Sequence, residues 1–235
     1  MTGSAADDGG MTTTTQTIPQ TTTDPDGPPG SDPRTVFAQA VALGGDIVGA
    51  VRPGQLADPT PCPEYDVRAL LGHLVTVLHR VAALGRGADP FDLPPVVVAD
   101  DGWTEAWFDA AHEIEATWSD DAVLSRPMRL PWAQLPGAGI LATYTAEVTL
   151  HTWDLATATG QRPAWDAEVL DLAYAAMRRS LPAEGRAAIF EAVAARMPAG
   201  ARDARDGGAP FGEAVPVADD ASLIDRLVAW TGRRP

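Results

Sequence analysis

The sequence predicts an all-α fold, an antiparallel four-helix bundle with additional C-terminal helices. Three observations lead to this prediction. Apolar residues recur at steps of three and four along four long segments, which places them on one face of a helix. Clusters of proline and glycine separate these segments, as is typical of loops between helices. Strand signals are weak, and only Pro-Val-Val-Val-Ala at residues 95–99 is a credible strand.

The first three long helices are predicted in the first half of the chain. One covers residues 34–52 and ends before a Pro-Gly pair. The second begins after Asp66, a good N-cap residue, and ends near Gly85. The third carries tryptophans at the spacing of a buried helix face. These are Trp103, Trp107 and Trp118.

The fourth long helix is predicted from about Ile140 to Thr159, with Gly160 as a good residue to end it. The segment before it, residues 125–139, is broken by prolines and glycines. We expect a loop there, with a short extended piece at most. A second loop is predicted at residues 199–216. Additional helices are predicted at residues 166–181, 184–196 and 222–232.

Two regions of the chain differ in composition. Residues 1–33 consist largely of Thr, Asp, Gly, Pro and Ser, with hardly a bulky apolar residue. Such a segment buries too little apolar surface to offset the conformational entropy lost on ordering, so we predict a disordered N-terminal tail. Residues 34–235 form the predicted helical domain, which is long enough for a core of ordinary size.

The charge of the chain argues against two classes of partner. It carries 32 acidic and 17 basic residues, a net charge of −15, and no cluster of Lys or Arg. A surface of this sign repels nucleic acid and anionic membranes. We therefore expect neither as a partner, and a small molecule as the substrate. The sequence leaves the oligomeric state open.

The expected location is the cytoplasm. No apolar run approaches the roughly 20 residues needed to cross a bilayer. The N-terminus is acidic and lacks the apolar segment of a secretory signal. Cys62 is the only cysteine, which rules out an internal disulfide and fits a reducing compartment.

Three residues on two helices form a candidate metal site. Glu147 and His151 are four residues apart on one helix, so both side chains reach a common point. His73 lies on or beside the buried face of the second helix. Around a divalent cation they form a coherent set of three ligands with one position left open. The alternative is a hydrogen-bonded core histidine beside a pair whose spacing arose by chance.

Two further residues are candidates around this site. Tyr144 lies one turn before Glu147 on the same face. Its hydroxyl either lines a substrate pocket at the open metal position or satisfies a buried carbonyl. Asp154 follows His151 by three residues. It either holds the ring N–H of that ligand in a second shell or caps the helix end.

The remaining histidines and the cysteine are expected outside the site. His79 lies about 240° around the helix from His73, which favours a surface position. His112 has acidic neighbours and is expected at a solvated edge. Cys62 has no evident base nearby, so a buried structural thiol is favoured over a catalytic one.

Two segments resemble one group of metalloproteins. Residues 60–74 read Thr-Pro-Cys-Pro-Glu-Tyr-Asp-Val-Arg-Ala-Leu-Leu-Gly-His-Leu, and residues 147–160 read Glu-Val-Thr-Leu-His-Thr-Trp-Asp-Leu-Ala-Thr-Ala-Thr-Gly. They resemble the TPCPEW-VR-L--HLV and E---H-WDLA-ATG segments of actinobacterial proteins related to mycothiol-dependent maleylpyruvate isomerase, in the DinB-like superfamily. The end of the chain, residues 210–227, is similar to one branch of that group.

The resemblance implies a DinB-like four-helix bundle that holds one metal ion. Its ligands, a His from the second helix and a Glu and a His from a later one, fall on His73, Glu147 and His151. The expected ion is zinc, with iron and nickel as alternatives because they accept the same ligands. The resemblance also implies a low-molecular-weight thiol such as mycothiol as a cofactor. Thiol use stays open, because residues after Gly160 do not match the isomerase's C-terminal domain.

These observations lead to two functional hypotheses. The first is a metal-dependent enzyme that acts on a small molecule, by thiol-assisted isomerisation or by thiol S-transfer to an electrophilic substrate. The alternative is a non-catalytic protein that binds a divalent metal or a small molecule. An open coordination position favours the first, and a fourth protein ligand favours the second.

Overall fold

Four long helices contact one another in a ring around the main core. The computed structural model describes residues 31–94, 96–195 and 211–235. The helices up to residue 159 are α1 (Pro33–Gly49), α2 (Val67–Arg86), α3 (Trp103–Thr117), the single-turn α4 (Ala122–Ser125) and α5 (Gly137–Thr159). Both α1 and α2 contact α3 and α5, which closes the ring. The predicted all-α fold class is confirmed.

The ends of the site-bearing helices are fixed by local signals. The carboxylate of Asp66 accepts a hydrogen bond from the amide of Ala69 at 2.8 Å and so caps α2. Gly87, with φ +79°, ends α2, and Gly160, with φ +72°, ends α5. Positive φ favours glycine, which explains both stops. α5 begins one turn earlier than predicted, at Gly137.

The tryptophan stripe of α3 packs into the core, as the sequence predicted. Trp107 is fully buried, and its indole N–H donates to the carbonyl of Val41 at 3.2 Å. A Cβ at Gly44 would lie 2.6 Å from Trp107 Cζ2. Because only glycine avoids that clash, Gly44 lets α3 approach α1 closely.

α5 is buried on two sides because a second core lies behind it. This second core joins α5 to α6 (Ala167–Ser180) and α8 (Leu223–Trp230). α7 spans Arg186–Ala194. Leu150 and Ala146 of α5 are fully buried against α6 and α8, whereas Val148 faces the main bundle. These helices are the predicted C-terminal additions.

The strand prediction was wrong in position. Residues 96–99 form no strand, and Pro95 lies outside the described residues. An antiparallel hairpin occurs instead within the predicted loop, with β1 at Pro127–Leu130 and β2 at Ala133–Pro136. Met128 and Leu130 alternate inward to the core, which fixes the register of the hairpin. Val97 is exposed, and no described strand lies beside its segment.

The start of α1 corrects the end of the predicted tail. Asp32 accepts from the amide of Arg34 at 2.9 Å, and Pro33 is the first helical residue. The helix therefore begins within residues assigned to the tail. Residues 1–30, the rest of that tail, lie outside the described residues, as do residues 199–210 of the predicted second loop.

One described helix, α2, is long and apolar enough to cross a membrane by length and composition alone. Arg68, Arg80 and Arg86 interrupt its apolar residues, so the helix contains no uninterrupted apolar run of that length. Most of the helix is buried in the protein, where it packs against α3 and α5. Its apolar character is accounted for by this central place in the core.

Candidate metal centre

His73 of α2 and Glu147 and His151 of α5 come together at one point. One ligand atom from each residue lies within 4.8 Å of the other two. Nε2 of His73 is 3.2 Å from Oε1 of Glu147, and Nε2 of His151 is 3.5 Å from the same oxygen. Two imidazole nitrogens thus lie close to one carboxylate oxygen. Nitrogen and oxygen ligands of these kinds are suited to a divalent cation.

The second nitrogen of each imidazole is held by a neighbouring side chain. Nδ1 of His151 lies 3.0 Å from Oδ2 of Asp154. An ionised carboxylate can only accept, so Nδ1 of His151 carries the proton in that contact. Nδ1 of His73 lies 3.2 Å from the hydroxyl of Tyr65, whose ring stacks on the imidazole with centroids 4.9 Å apart. Both Nε2 atoms are thereby directed toward Glu147.

Burial and neighbouring charges shift the pKa values of the three residues in different directions. Burial alone disfavours a charged His151, but Asp154 and Glu147 outweigh it and raise the pKa of His151 to about 9. Burial, together with the charge of His151, lowers the pKa of His73. The two histidines overcome the effect of burial on Glu147 and hold its pKa well below the ordinary value. Without a metal, His151 therefore carries the positive charge that balances Glu147 at neutral pH.

Asp154 is fully buried and is fixed by an arginine from the end of the chain. Nε of Arg233 lies 2.7 Å from Oδ1 of Asp154, and Nη2 lies 2.7 Å from Oδ2. Nη1 of the same guanidinium donates to the hydroxyl of Thr231 at 3.1 Å. Burial of Asp154 raises its pKa, but the hydrogen bonds and charges of His151 and Arg233 lower it by more. The net result is a lowered pKa, so the carboxylate stays ionised at neutral pH. Asp154 does not cap the helix end, since its oxygens engage His151 and Arg233.

Tyr144 lies on the same face of α5, one turn before Glu147, and is 6 % exposed. Burial raises the pKa of its hydroxyl, so the phenol stays protonated at neutral pH. Within the described parts of the chain, that hydroxyl has no hydrogen-bond partner, including no buried carbonyl.

The other candidates lie where the sequence placed them. His79 points to α3, where its Nδ1 is 3.0 Å from Oε2 of Glu113, and His112 is exposed. Cys62 is buried, and burial raises the pKa of its thiol to about 11. Cys62, His151 and Asp154 also form a compact group. Since Asp154 already accepts from two partners there, we assign no metal to this second group.

Comparison with known proteins assigns the chain to a family. The family model described as "Mycothiol maleylpyruvate isomerase N-terminal domain" matches residues 37–156. The chain belongs to this family. The matched residues contain His73, Glu147, His151 and Asp154, but they end before α6, α8 and Arg233. The family assignment confirms the resemblance found in the sequence.

The chain also has relatives of nearly its own length. Two uncharacterized proteins, from two strains of Mycobacterium tuberculosis, are each 29% identical to it over 203 residues. Each alignment covers 86% of this chain and 98% of the relative. An alignment of this length extends beyond residue 156, where the match to the family model ends. No solved structure matches the chain.

Two residues that shape the site were missed in the sequence. Arg233 is 79 positions from Asp154, and no local pattern connects residues so far apart. Tyr65 lies eight residues before His73, in the proline-rich segment that leads into α2. Its position next to the cap residue Asp66 was the available signal, because a residue just outside a helix often packs back against it.

Proposed function

We propose that the protein is a metal-dependent enzyme that acts on a small electrophilic molecule, by thiol-assisted isomerisation or by thiol S-transfer. The observation that carries this proposal is the convergence of His73, Glu147 and His151, with ligand atoms within 4.8 Å of one another. Membership of a family named for an isomerase that uses mycothiol supports the chemistry.

The residues present fit a divalent metal ion. Two imidazole nitrogens, once His151 has lost its Nε2 proton, and one carboxylate oxygen suit zinc best, and they also suit iron or nickel. Among the described residues, no fourth His, Cys, Asp or Glu joins this group. Three protein ligands leave a coordination position for substrate or cofactor, which supports catalysis over a closed structural site. An ion held here would act as a Lewis acid and lower the pKa of a coordinated thiol or water.

The surrounding residues would prepare the site for this chemistry. Asp154 and Tyr65 fix the orientation of the two imidazoles, so that both Nε2 atoms remain available. Tyr144 is protonated and lies beside Glu147, where its O–H can donate a hydrogen bond to an oxygen of the substrate that gains negative charge. When a thiol adds to an activated alkene, such an oxygen receives the electron pair of the double bond.

The test compares metal-free and metal-loaded protein with a small thiol and an activated alkene, by following loss of the alkene and the appearance of either an isomer or a conjugate. We expect turnover that requires the metal and saturates with thiol. The Glu147→Ala variant should lose it, while His79→Ala, which changes a histidine of the same helix outside the site, should retain it. Equal rates in metal-free and metal-loaded samples, matching the uncatalysed reaction across a panel of electrophiles, would instead support a non-catalytic binding protein.

The partner and the location are part of the same proposal. The net charge of −15 supports a small-molecule substrate over nucleic acid or an anionic membrane. A single cysteine, buried and unpaired, supports a reducing compartment, and we propose the cytoplasm.

A further inference from the structure

Arg80 of α2 is a partly buried cation without a counterion. Its Nε atom is buried and has no hydrogen-bond partner in the described part of the chain. None of the ion pairs among the described residues includes Arg80. Its guanidinium carbon lies 5.0 Å above the centre of the Phe91 ring. A ring face attracts a cation but accepts no strong hydrogen bond, so the buried N–H is left unsatisfied.

Helix geometry directs Arg80 toward the candidate metal centre. It follows His73 by seven residues, which is two turns, ~10 Å along the axis on nearly the same face. Long side chains on a helix lean toward its N-terminus, so the guanidinium leans back toward His73. Its positive charge acts on both His73 and Tyr144. Arg80 therefore lies on the same side of α2 as the site.

Arg80 and Tyr144 lie on the same side of the candidate metal centre, and a ligand would extend from the centre toward them. Tyr144 precedes Glu147 along α5, and Arg80 follows His73 along α2. Since Arg80 acts on Tyr144 and His73 contacts Glu147, the two helices run in opposite directions here. Beyond Arg80, Phe91 forms part of the lining of a cavity of about 890 Å³ between the end of α2 and the hairpin. Tyr144 and Arg80 thus lie on the same side of the candidate metal residues, one on each helix.

We propose that Arg80 is the anion-binding residue of this site, and that it receives the carboxylate of a small organic acid whose other end lies at His73, Glu147 and His151. This substrate class rests on the proposed function, whereas anion binding by Arg80 does not. A carboxylate would accept from the orphaned Nε and from a second guanidinium nitrogen in a two-point contact. The two ends of the ligand would be separated by no more than ~10 Å, given two turns of helix between His73 and Arg80.

The test measures binding of phenylacetate and of its uncharged analogue phenylacetamide to metal-free protein by calorimetry. Phenylacetate should bind the wild type, and Arg80→Gln should weaken it by about tenfold or more, because a charge-assisted hydrogen bond is lost. The affinity of Arg80→Lys for phenylacetate should lie between those of the wild type and Arg80→Gln, since lysine keeps the charge but not the planar pair of donors. Phenylacetamide should bind weakly and equally to all variants.

The control is Arg86→Gln on the same helix. Arg86 pairs with Glu113 away from the site, so this change removes an equal charge and should leave phenylacetate binding unchanged. No binding of phenylacetate to the wild type, or equal affinity in wild type and Arg80→Gln, would overturn the proposal. Circular dichroism of each variant shows that the fold is intact. Because metal-free protein is used, the result is separate from any failure of metal-dependent turnover.

Discussion

Arg233 and Asp154 form a buried two-point ion pair, with both N–O distances at 2.7 Å, that joins the end of the chain to the helix carrying two of the candidate metal-site residues. Asp154 in turn holds Nδ1 of His151. The orientation of His151 thus depends on Arg233, which follows Asp154 by 79 positions in the sequence. Together with the second core, this contact joins the C-terminal part of the chain to the bundle.

Replacing Arg233 with Ala should both destabilise the protein and weaken metal binding. The change leaves Asp154 as an unpaired buried carboxylate, which costs about 3–5 kcal/mol in the free energy of unfolding. It also frees Asp154 to move, so the ring of His151 is held less firmly; loss of such a contact weakens metal affinity about 10–100-fold. Urea unfolding and metal competition titrations measure the two effects.

The neighbouring Arg234 provides the matched control, because it is exposed. Arg234→Ala should change the free energy of unfolding by less than about 0.5 kcal/mol. An Arg233→Ala variant as stable as Arg234→Ala would show that the Asp154 pair does not fix the C-terminus.

The stability of the metal-free protein should fall as the solution becomes alkaline. The pKa of His151 is raised to about 9 in the folded state, above the value of ~6.5 for a free imidazole. A raised pKa contributes stability that is complete below ~6.5 and is lost as the pH rises through about 9. Urea unfolding across this pH range should show that the wild type loses stability as the pH rises, and that His151→Gln loses less. An identical pH dependence in both proteins would contradict the assigned charge state.

Metal affinity should rise with pH over the same interval. The proton on Nε2 of His151 has to leave before that nitrogen can act as a ligand, so binding should release about one proton per ion. Apparent affinity should increase by up to about tenfold per pH unit until the pH reaches about 9, the pKa of His151. With an ordinary imidazole, the increase would end near its pKa of ~6.5. Chelator competition at several pH values measures this slope. A flat profile between ~6.5 and 9 would mean that His151 is neutral in the metal-free protein.

Two truncations should separate the tail from the cap of α1. A chain that begins at residue 31 keeps Asp32 and Pro33, and we expect its melting temperature to equal that of the full protein. A chain that begins at Arg34 loses the capping carboxylate, at a cost of about 1 kcal/mol. Thermal unfolding of the two side by side tests this difference. A large drop in melting temperature already in the longer chain would show that residues before 31 stabilise the helical domain.

Local patterns in the sequence were sufficient to predict most of the helices and to select His73, Glu147 and His151 as candidate metal ligands, which the structure brings together. Steps of three and four, the cap at Asp66 and the stop at Gly160 are short-range signals, and each corresponds to an observed feature. The hairpin at residues 127–136 was predicted only as a loop with a short extended piece, because its strands have four residues each and the segment contains three prolines, two in the strands and one between them. Contacts such as Arg233–Asp154 depend on tertiary packing, which no short-range pattern encodes.

The metal content of the purified protein is the most direct test of the account. The wild type, loaded with zinc and freed of excess ion, should retain about one ion per chain by elemental analysis, as expected for a single three-ligand site. Glu147→Ala, His73→Ala and His151→Ala should each lose it while remaining helical. Glu113→Ala, which removes a carboxylate bonded to His79 outside the site, should retain it. Stoichiometric metal in Glu147→Ala would contradict the central claim that these three residues form the metal site.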